Sequence, residues 1–258
     1  MRLRISFPSL TLLRPVDIVA ALPDEIPRPA GKLCRTVWAL HCAMSDAGFF
    51  FDRLDAASLV DQEKIAFIAP SLGNGWFINS PFERQADFLQ EMFERLRDVL
   101  PLSHRREDNL VLGVSMGAFG ALRWAMASDN FGGAAGISGV YDHSLPPDER
   151  LRQHRAQRAL HAAFSRLARQ LLWDEDGHVR KDADFAALAG RSSCPRLALY
   201  CGDEDYLSLP QTRRLEQLCR EGGRSVTACI TPGEHDERYW KQALRDAVRD
   251  FFQHTSSF

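Results

Sequence analysis

The stretch that decides the fold is Asn109-Leu110-Val111-Leu112-Gly113-Val114-Ser115-Met116-Gly117-Ala118-Phe119-Gly120. A short apolar run ending in Gly-x-Ser-x-Gly predicts a buried strand, a tight turn and a helix start. Ala118, Ala121, Leu122, Trp124 and Ala125 continue at helical spacing, so the helix that the turn should feed is present. The two glycines have a steric task. A side chain at either flank of the strained central residue would meet the neighbouring strand or helix. Such a turn lifts the Ser115 hydroxyl clear of the sheet. The same pattern also occurs as an ordinary glycine-rich loop, and the flanking strand and helix are what favour a nucleophile.

Working outward, short apolar runs alternate with amphipathic ones. Residues 2–7 and 16–22 read as an antiparallel edge, residues 23–32 as a Pro-rich loop, and 36–40 as a central strand running into His41, Cys42 and Ala43. Residues 49–60 read as one short helix and 65–68 as a buried strand ending at Pro70. Gly73 to Phe77 reads as a glycine-and-aromatic loop of the kind that lines pockets, with a packed surface loop as an equal alternative. Ser80, Pro81 and Glu83 read as a capped helix start, followed by an apolar face of Phe88, Leu89, Met92, Phe93, Leu96, Val99 and Leu100. Strands are expected at 131–140, 197–201 and 226–230, and helices at 211–220 and along the face of Tyr239, Trp240, Leu244, Val248, Phe251 and Phe252. This alternation predicts an α/β fold, a mostly parallel sheet with helices on both faces, in a single domain spanning 1–258. Residues 141–193 are polar, Arg-rich and helical in pattern, and would sit over the strand ends as a helical cap. Arg150, Arg152, Arg155, Arg158, Arg166 and Arg169 read as its solvated face, with attraction of an acidic substrate group as the alternative.

A chain of 258 residues with 45% hydrophobic content can bury a full core, and its net charge of −2 gives no argument for nucleic acid. No stretch reaches the ~18 apolar residues of a membrane span, and the N-terminal pattern, broken by Pro8, Arg14, Pro15 and Asp17, reads against secretion. Cys34, Cys42, Cys194, Cys201, Cys219 and Cys229 are scattered without a Cys-x-x-Cys pair. They read as free thiols of a cytoplasmic protein and give no zinc pattern.

A serine nucleophile needs a general base, and the base needs a carboxylate to fix its tautomer. In a parallel sheet such groups gather beyond the carboxyl ends of the strands. Strand 197–201 runs into Asp203, Glu204 and Asp205, and strand 226–230 into Glu234 and His235, giving the chain order serine, acid, histidine. His104, His143, His154, His161 and His178 fall in loops or the insertion, His254 in the tail, and His41 precedes the serine, which leaves His235 as the candidate base. Asp205 is preferred to Asp203 as the acid, and Asp236 ranks third because it neighbours the histidine itself. The amides of Met116 and of the turn around Cys42 and Ala43 are the candidate oxyanion donors.

With these residues placed, the chain resembles the putative-esterase family of α/β-hydrolases, which includes esterase D (S-formylglutathione hydrolase) and the tributyrin esterases. The likeness is carried by Leu40-His41 and its turn, Gly113 to Leu122, Gly136-Ile137-Ser138-Gly139, Cys201 to Leu207, and Gly233 to Asp236 with Trp240. The resemblance implies an α/β-hydrolase fold, Ser115 as nucleophile, His235 as base, Asp205 as acid, and Ala43 with Met116 as oxyanion donors. Where the family usually has His-Gly this chain has His41-Cys42, and a side chain there bears on the shape of the oxyanion turn. The expected activity is hydrolysis of short-chain acyl esters as small-molecule substrates, through an acyl-enzyme, without metal or organic cofactor. Thioester hydrolysis or acyl transfer by the same triad is the alternative, and a non-catalytic binding protein on a hydrolase scaffold the second. A homo-oligomer is compatible with this reading.

Overall fold

The computed structural model describes residues 1–24, 33–142, 145, 149–153, 155–181, 183–190, 193 and 196–253. Most of the predicted loop 23–32, together with His143, His154, Cys194 and His254, falls outside them, as do the side chains of Arg152, Arg155 and Leu160. Eight strands form one sheet in these residues: β1 (Arg2–Ser9), β2 (Arg14–Ala21), β3 (Arg35–Leu40), β4 (Ile65–Pro70), β5 (Asn109–Val114), β6 (Gly133–Ile137), β7 (Leu197–Gly202) and β8 (Val226–Thr231). Their spatial order is β1-β2-β4-β3-β5-β6-β7-β8. β2 is antiparallel to both neighbours and every later pair is parallel.

Within β3 and β5, successive side chains belong to opposite cores, as the two-residue period of a strand requires. Trp38 and Val111 join one core with α3 (Gln85–Val99) and α4 (Met116–Ala127). Val37, Leu110 and Leu112 join the other with α1 (Phe49–Asp52), α2 (Ala56–Glu63) and α8 (Glu237–Gln253). Both faces of the central strands are therefore covered, which is why those strands read as continuous apolar runs. The architecture is that of an α/β-hydrolase.

The chain crosses from β3 to β4 on one side, then returns to place β5 on the other side of β3. That reversal opens a crevice beyond the carboxyl ends of β3 and β5, the place where such sheets bind ligands. Between β6 and β7 lie α5 (Arg155–Leu172) and α6 (Phe185–Ala189), and α7 (Leu209–Glu221) follows β7. Among the described residues, no helix is long and apolar enough to cross a membrane.

Three local expectations are corrected. The run 49–60 is broken into α1 and α2, because Asp55 adopts a left-handed conformation with φ 61° and faces Arg245 and Lys241 of α8. Ser80 does not cap α3. Its hydroxyl accepts from the amides of Phe82 and Glu83 in a separate turn, and the Glu83 carboxylate is taken by Arg14 and Gln85. The helix begins only at Gln85, where Asn79 Oδ1 accepts the Asp87 amide at 3.2 Å. Val99, placed on the apolar face of this helix by its spacing, is exposed.

Candidate active site

Ser115 joins β5 to α4 with φ 54° and ψ −113°, a backbone state that an L-residue holds only when its surroundings impose it. They do. Its amide donates to the carbonyl of Ile137 at 2.8 Å and its carbonyl accepts from Ala118 at 3.0 Å. The flanking glycines are sterically required: a Cβ on Gly113 would lie 2.0 Å from the Gly117 carbonyl oxygen, and one on Gly117 would lie 1.9 Å from that of Leu40.

Asp205 and His235 meet across the ends of β7 and β8. His235 Nδ1 lies 2.9 Å from Asp205 Oδ2, with both side chains buried. The second carboxylate oxygen accepts the Ser208 amide at 2.9 Å, and Ser208 Oγ donates to the Ser138 carbonyl at 2.8 Å, also approaching His235 Nδ1 at 3.3 Å. Burial alone would raise the Asp205 pKa. The adjacent His235, with the hydrogen bond from the Ser208 amide, outweighs it and holds the carboxyl below its ordinary value. An ionised Asp205 accepts the Nδ1 proton, so the neutral imidazole is bare at Nε2. That atom is buried and, among the described residues, forms no hydrogen bond, not even with Ser115. Trp240 packs edge-on against the ring at 5.0 Å.

The neighbouring carboxylates have other work. Asp203 Oδ1 accepts the Gly233 amide at 3.1 Å and ties the β7 loop to the loop that carries His235. Asp236 Oδ1 accepts from the Tyr239 amide at 2.9 Å and caps α8.

The turn after β3 is held by two groups to which the sequence reading gave no such role. His41 is fully buried. Its Nε2 accepts the Leu72 amide at 3.2 Å, which puts the proton on Nδ1, facing the Cys42 carbonyl at 2.7 Å. Burial lowers the His41 pKa against the pull of that carbonyl and of Asp46, favouring the neutral ring. Fixing one edge of the trans peptide fixes the other, so the bond that holds the Cys42 carbonyl also sets the direction of the Ala43 amide. Asn74 Oδ1 anchors the far end of the turn by accepting the Met44 amide at 2.8 Å. The signal for both residues was the placement of a histidine and a glycine-rich loop at strand ends.

Ser115, His235, Met116, Ala43 and Cys42 line one cavity of about 200 Å³. Burial pushes the Cys42 thiol up to about 11, so it stays protonated at neutral pH and does not compete as a nucleophile. Trp76, from the glycine-and-aromatic loop, lines the same space, as do His161, Phe164 and Ser165 of α5. No Lys, Arg, Asp or Glu is among the described lining residues. Arg158, Arg166 and Arg169 are exposed on the outside of α5, and Arg150 lies over the Tyr206 ring. Among the described residues no cluster of side chains could hold a metal ion, and the described cysteines Cys34, Cys42, Cys201, Cys219 and Cys229 are free.

Residues 81–251 match the family model described as "Putative esterase". An acetyl esterase of Caldicellulosiruptor saccharolyticus is 26% identical over 95% of this chain and 96% of its own length. Among solved structures, the fluorophosphonate-binding serine hydrolase F (FphF) of Staphylococcus aureus, substrate bound, superposes with a TM-score of 0.79 at 22% identity, over 98% of this chain and 97% of that one. The S-formylglutathione hydrolase (FrmB) of the same organism gives 0.76 at 21% identity, over 98% of each chain. By its sequence match, and with the fold these structures share, the chain belongs to the putative-esterase family of serine ester hydrolases.

Proposed function

We propose that this protein is a serine carboxylesterase that hydrolyses short-chain acyl esters with Ser115 as nucleophile, His235 as base and Asp205 as the acid that orients it. The observation that carries the reading is the buried His235–Asp205 pair, which leaves Nε2 bare and buried in the cavity that also contains Ser115. Rotation of the serine hydroxyl onto Nε2 completes the relay, a bond that commonly tightens only with substrate bound. Ser115 Oγ attacks the ester carbonyl carbon as its proton passes to Nε2. The carbonyl oxygen becomes an oxyanion facing the amides of Met116 and Ala43. Met116 is the first residue of α4, so its amide has no acceptor within the helix. Collapse breaks the bond to the alcohol oxygen, which leaves with the proton from Nε2. Water then attacks the acyl-enzyme, gives its proton to Nε2, and the acid departs as Ser115 regains its own.

Asp205 stays ionised throughout and stabilises the imidazolium that forms. Residues 141–193 act as a helical cap on a single domain, with α5 closing the cavity from above. A volume of about 200 Å³ lies below the roughly 300–1,000 Å³ of sites for larger ligands, which supports a short acyl group. The same relay would cleave a thioester, and the uncharged described lining favours a neutral ester over a glutathione conjugate.

Hydrolysis of p-nitrophenyl acetate, butyrate and octanoate, and of S-formylglutathione, by the wild type beside Ser115→Ala tests this. The expected result is activity that falls with acyl length, exceeds that on the thioester, and drops about a thousandfold or more in the variant. Equal, weak rates in both proteins would overturn it.

A further inference from the structure

The inward face of α5 changes character along its length. Ala168, Leu171 and Leu172, toward its end, are buried in the main core. One and two turns earlier, over the cavity, the same face presents Ser165 and His161, with Phe164 beside them. A cavity that received only alkyl groups would gain nothing from two polar side chains there, since seating an alkyl chain against them strips water without replacing its hydrogen bonds.

The pair is pre-assembled. Ser165 Oγ and His161 Nε2 lie 3.3 Å apart, and among the described residues neither side chain makes another hydrogen bond. Partial burial lowers the His161 pKa, so the ring is neutral at pH 7. If Ser165 donates to Nε2, the pair keeps the Nδ1 proton as a donor and the serine lone pairs as acceptors. If Nε2 donates instead, the pair keeps the serine proton and Nδ1. In both tautomers one donor and one acceptor remain, which is the complement of a hydroxyl group. Gln211, also in the lining, is engaged at its acceptor: Oε1 accepts the amides of Tyr141 and Asp142, and Nε2 donates one proton to the Asp142 carbonyl, so it can offer a single donor but no free acceptor site to match a hydroxyl.

We infer that His161 and Ser165 form a recognition pair for an uncharged hydroxyl substituent close to the scissile ester. The preferred substrates are then short acyl esters of a polyol, or esters of a small hydroxy acid, rather than simple alkyl esters. The absence of a charged residue from the described lining is why the substituent is neutral. The inference rests on the reading of Ser115 as nucleophile.

Two matched ester pairs test it. 2,3-Dihydroxypropyl acetate against 2-methylbutyl acetate places hydroxyls or methyl groups of similar size on the alcohol, and ethyl lactate against ethyl isobutyrate does the same on the acyl group. The readout is the ratio of kcat/KM within each pair, for wild type, Ser165→Ala, His161→Leu and the double variant. Both esters are measured on one preparation, so any loss of folded protein cancels. The expected result is a wild-type preference for the hydroxyl ester in at least one pair, reduced about tenfold in each single variant. The double variant should lose little more than either single one, because the pair acts as a unit. Whichever ester pair responds identifies the side of the ester that lies under α5. Ratios unchanged by the variants in both pairs, with hydrolysis still dependent on Ser115, would overturn the inference and leave the esterase reading intact. Hydrolysis of all four esters independent of Ser115 would overturn the reading on which it rests.

Discussion

Below the cavity, Ser115, Asp205 and His235 stand on loops fixed by backbone: an imposed positive φ, glycines with no room for a Cβ, and amides that accept no other placement of the turn. Above it, α5 is anchored at its C-terminal end by Ala168, Leu171 and Leu172. At its other end Arg158, Ala159, Ala162 and Ala163 are open to solvent. The lower region has one arrangement compatible with its sheet, and the upper region hangs side chains over it. On the proposed reading, chemistry that needs sub-ångström placement would sit on the part fixed by backbone, and selectivity where side chains can change without disturbing the sheet.

Substitutions in the two regions should therefore differ in kind. The largest effect after loss of the nucleophile is expected for Asp205→Asn, which keeps the volume but presents an amide to Nδ1 and favours the wrong tautomer. Steady-state kinetics should give kcat reduced about 1,000- to 10,000-fold, with far less change in KM. Next, His41→Phe releases the Cys42 carbonyl and with it the direction of the Ala43 amide. A kcat lower by about 10- to 100-fold is expected, short of the loss of a whole oxyanion donor. An unchanged kcat would mean that the turn holds itself without His41.

In the upper region, Phe164→Ala should act on preference rather than on rate. By enlarging the cavity it should raise the ratio of kcat/KM for p-nitrophenyl octanoate over acetate by about fivefold. A fall in kcat for every ester would instead make α5 part of the rigid platform.

The smallest effect lies outside both regions and separates stability from activity. Glu91 accepts from the Ser9 hydroxyl and the amides of Leu10 and Thr11, closing the β1–β2 hairpin. Partial burial raises its pKa, but these donors outweigh burial and hold it at about 2. Its folded pKa thus lies below the unfolded value of about 4.3, so its stabilisation is complete above that pH and is lost as pH falls toward 2. Glu91→Gln should lower Tm by roughly 2–4 °C at pH 7, leave hydrolysis at that pH unchanged, and make little difference to Tm near pH 2.

Legibility in the sequence followed the same division. Strand type, the serine turn and the order of serine, acid and histidine could be read because each depends on local pattern: continuous apolar runs, glycines where a Cβ cannot fit, and loops directly after strands. The helix breaks at Asp55 and before Gln85 could not, because ion pairs from α8 and a carboxylate drawn toward Arg14 override local preference.

By itself, the sequence determined the alternation of strands and helices, the Ser115 turn and the candidates for acid and base, since these follow from side-chain period and backbone sterics within a few residues. Only the tertiary structure decided which of three nearby carboxylates meets His235, that His41 and Asn74 hold the turn carrying Ala43, and that His161 faces the cavity. Those choices depend on distances between residues some 30 to 120 positions apart in the chain, which are set when the sheet closes and the cores on its two faces are filled.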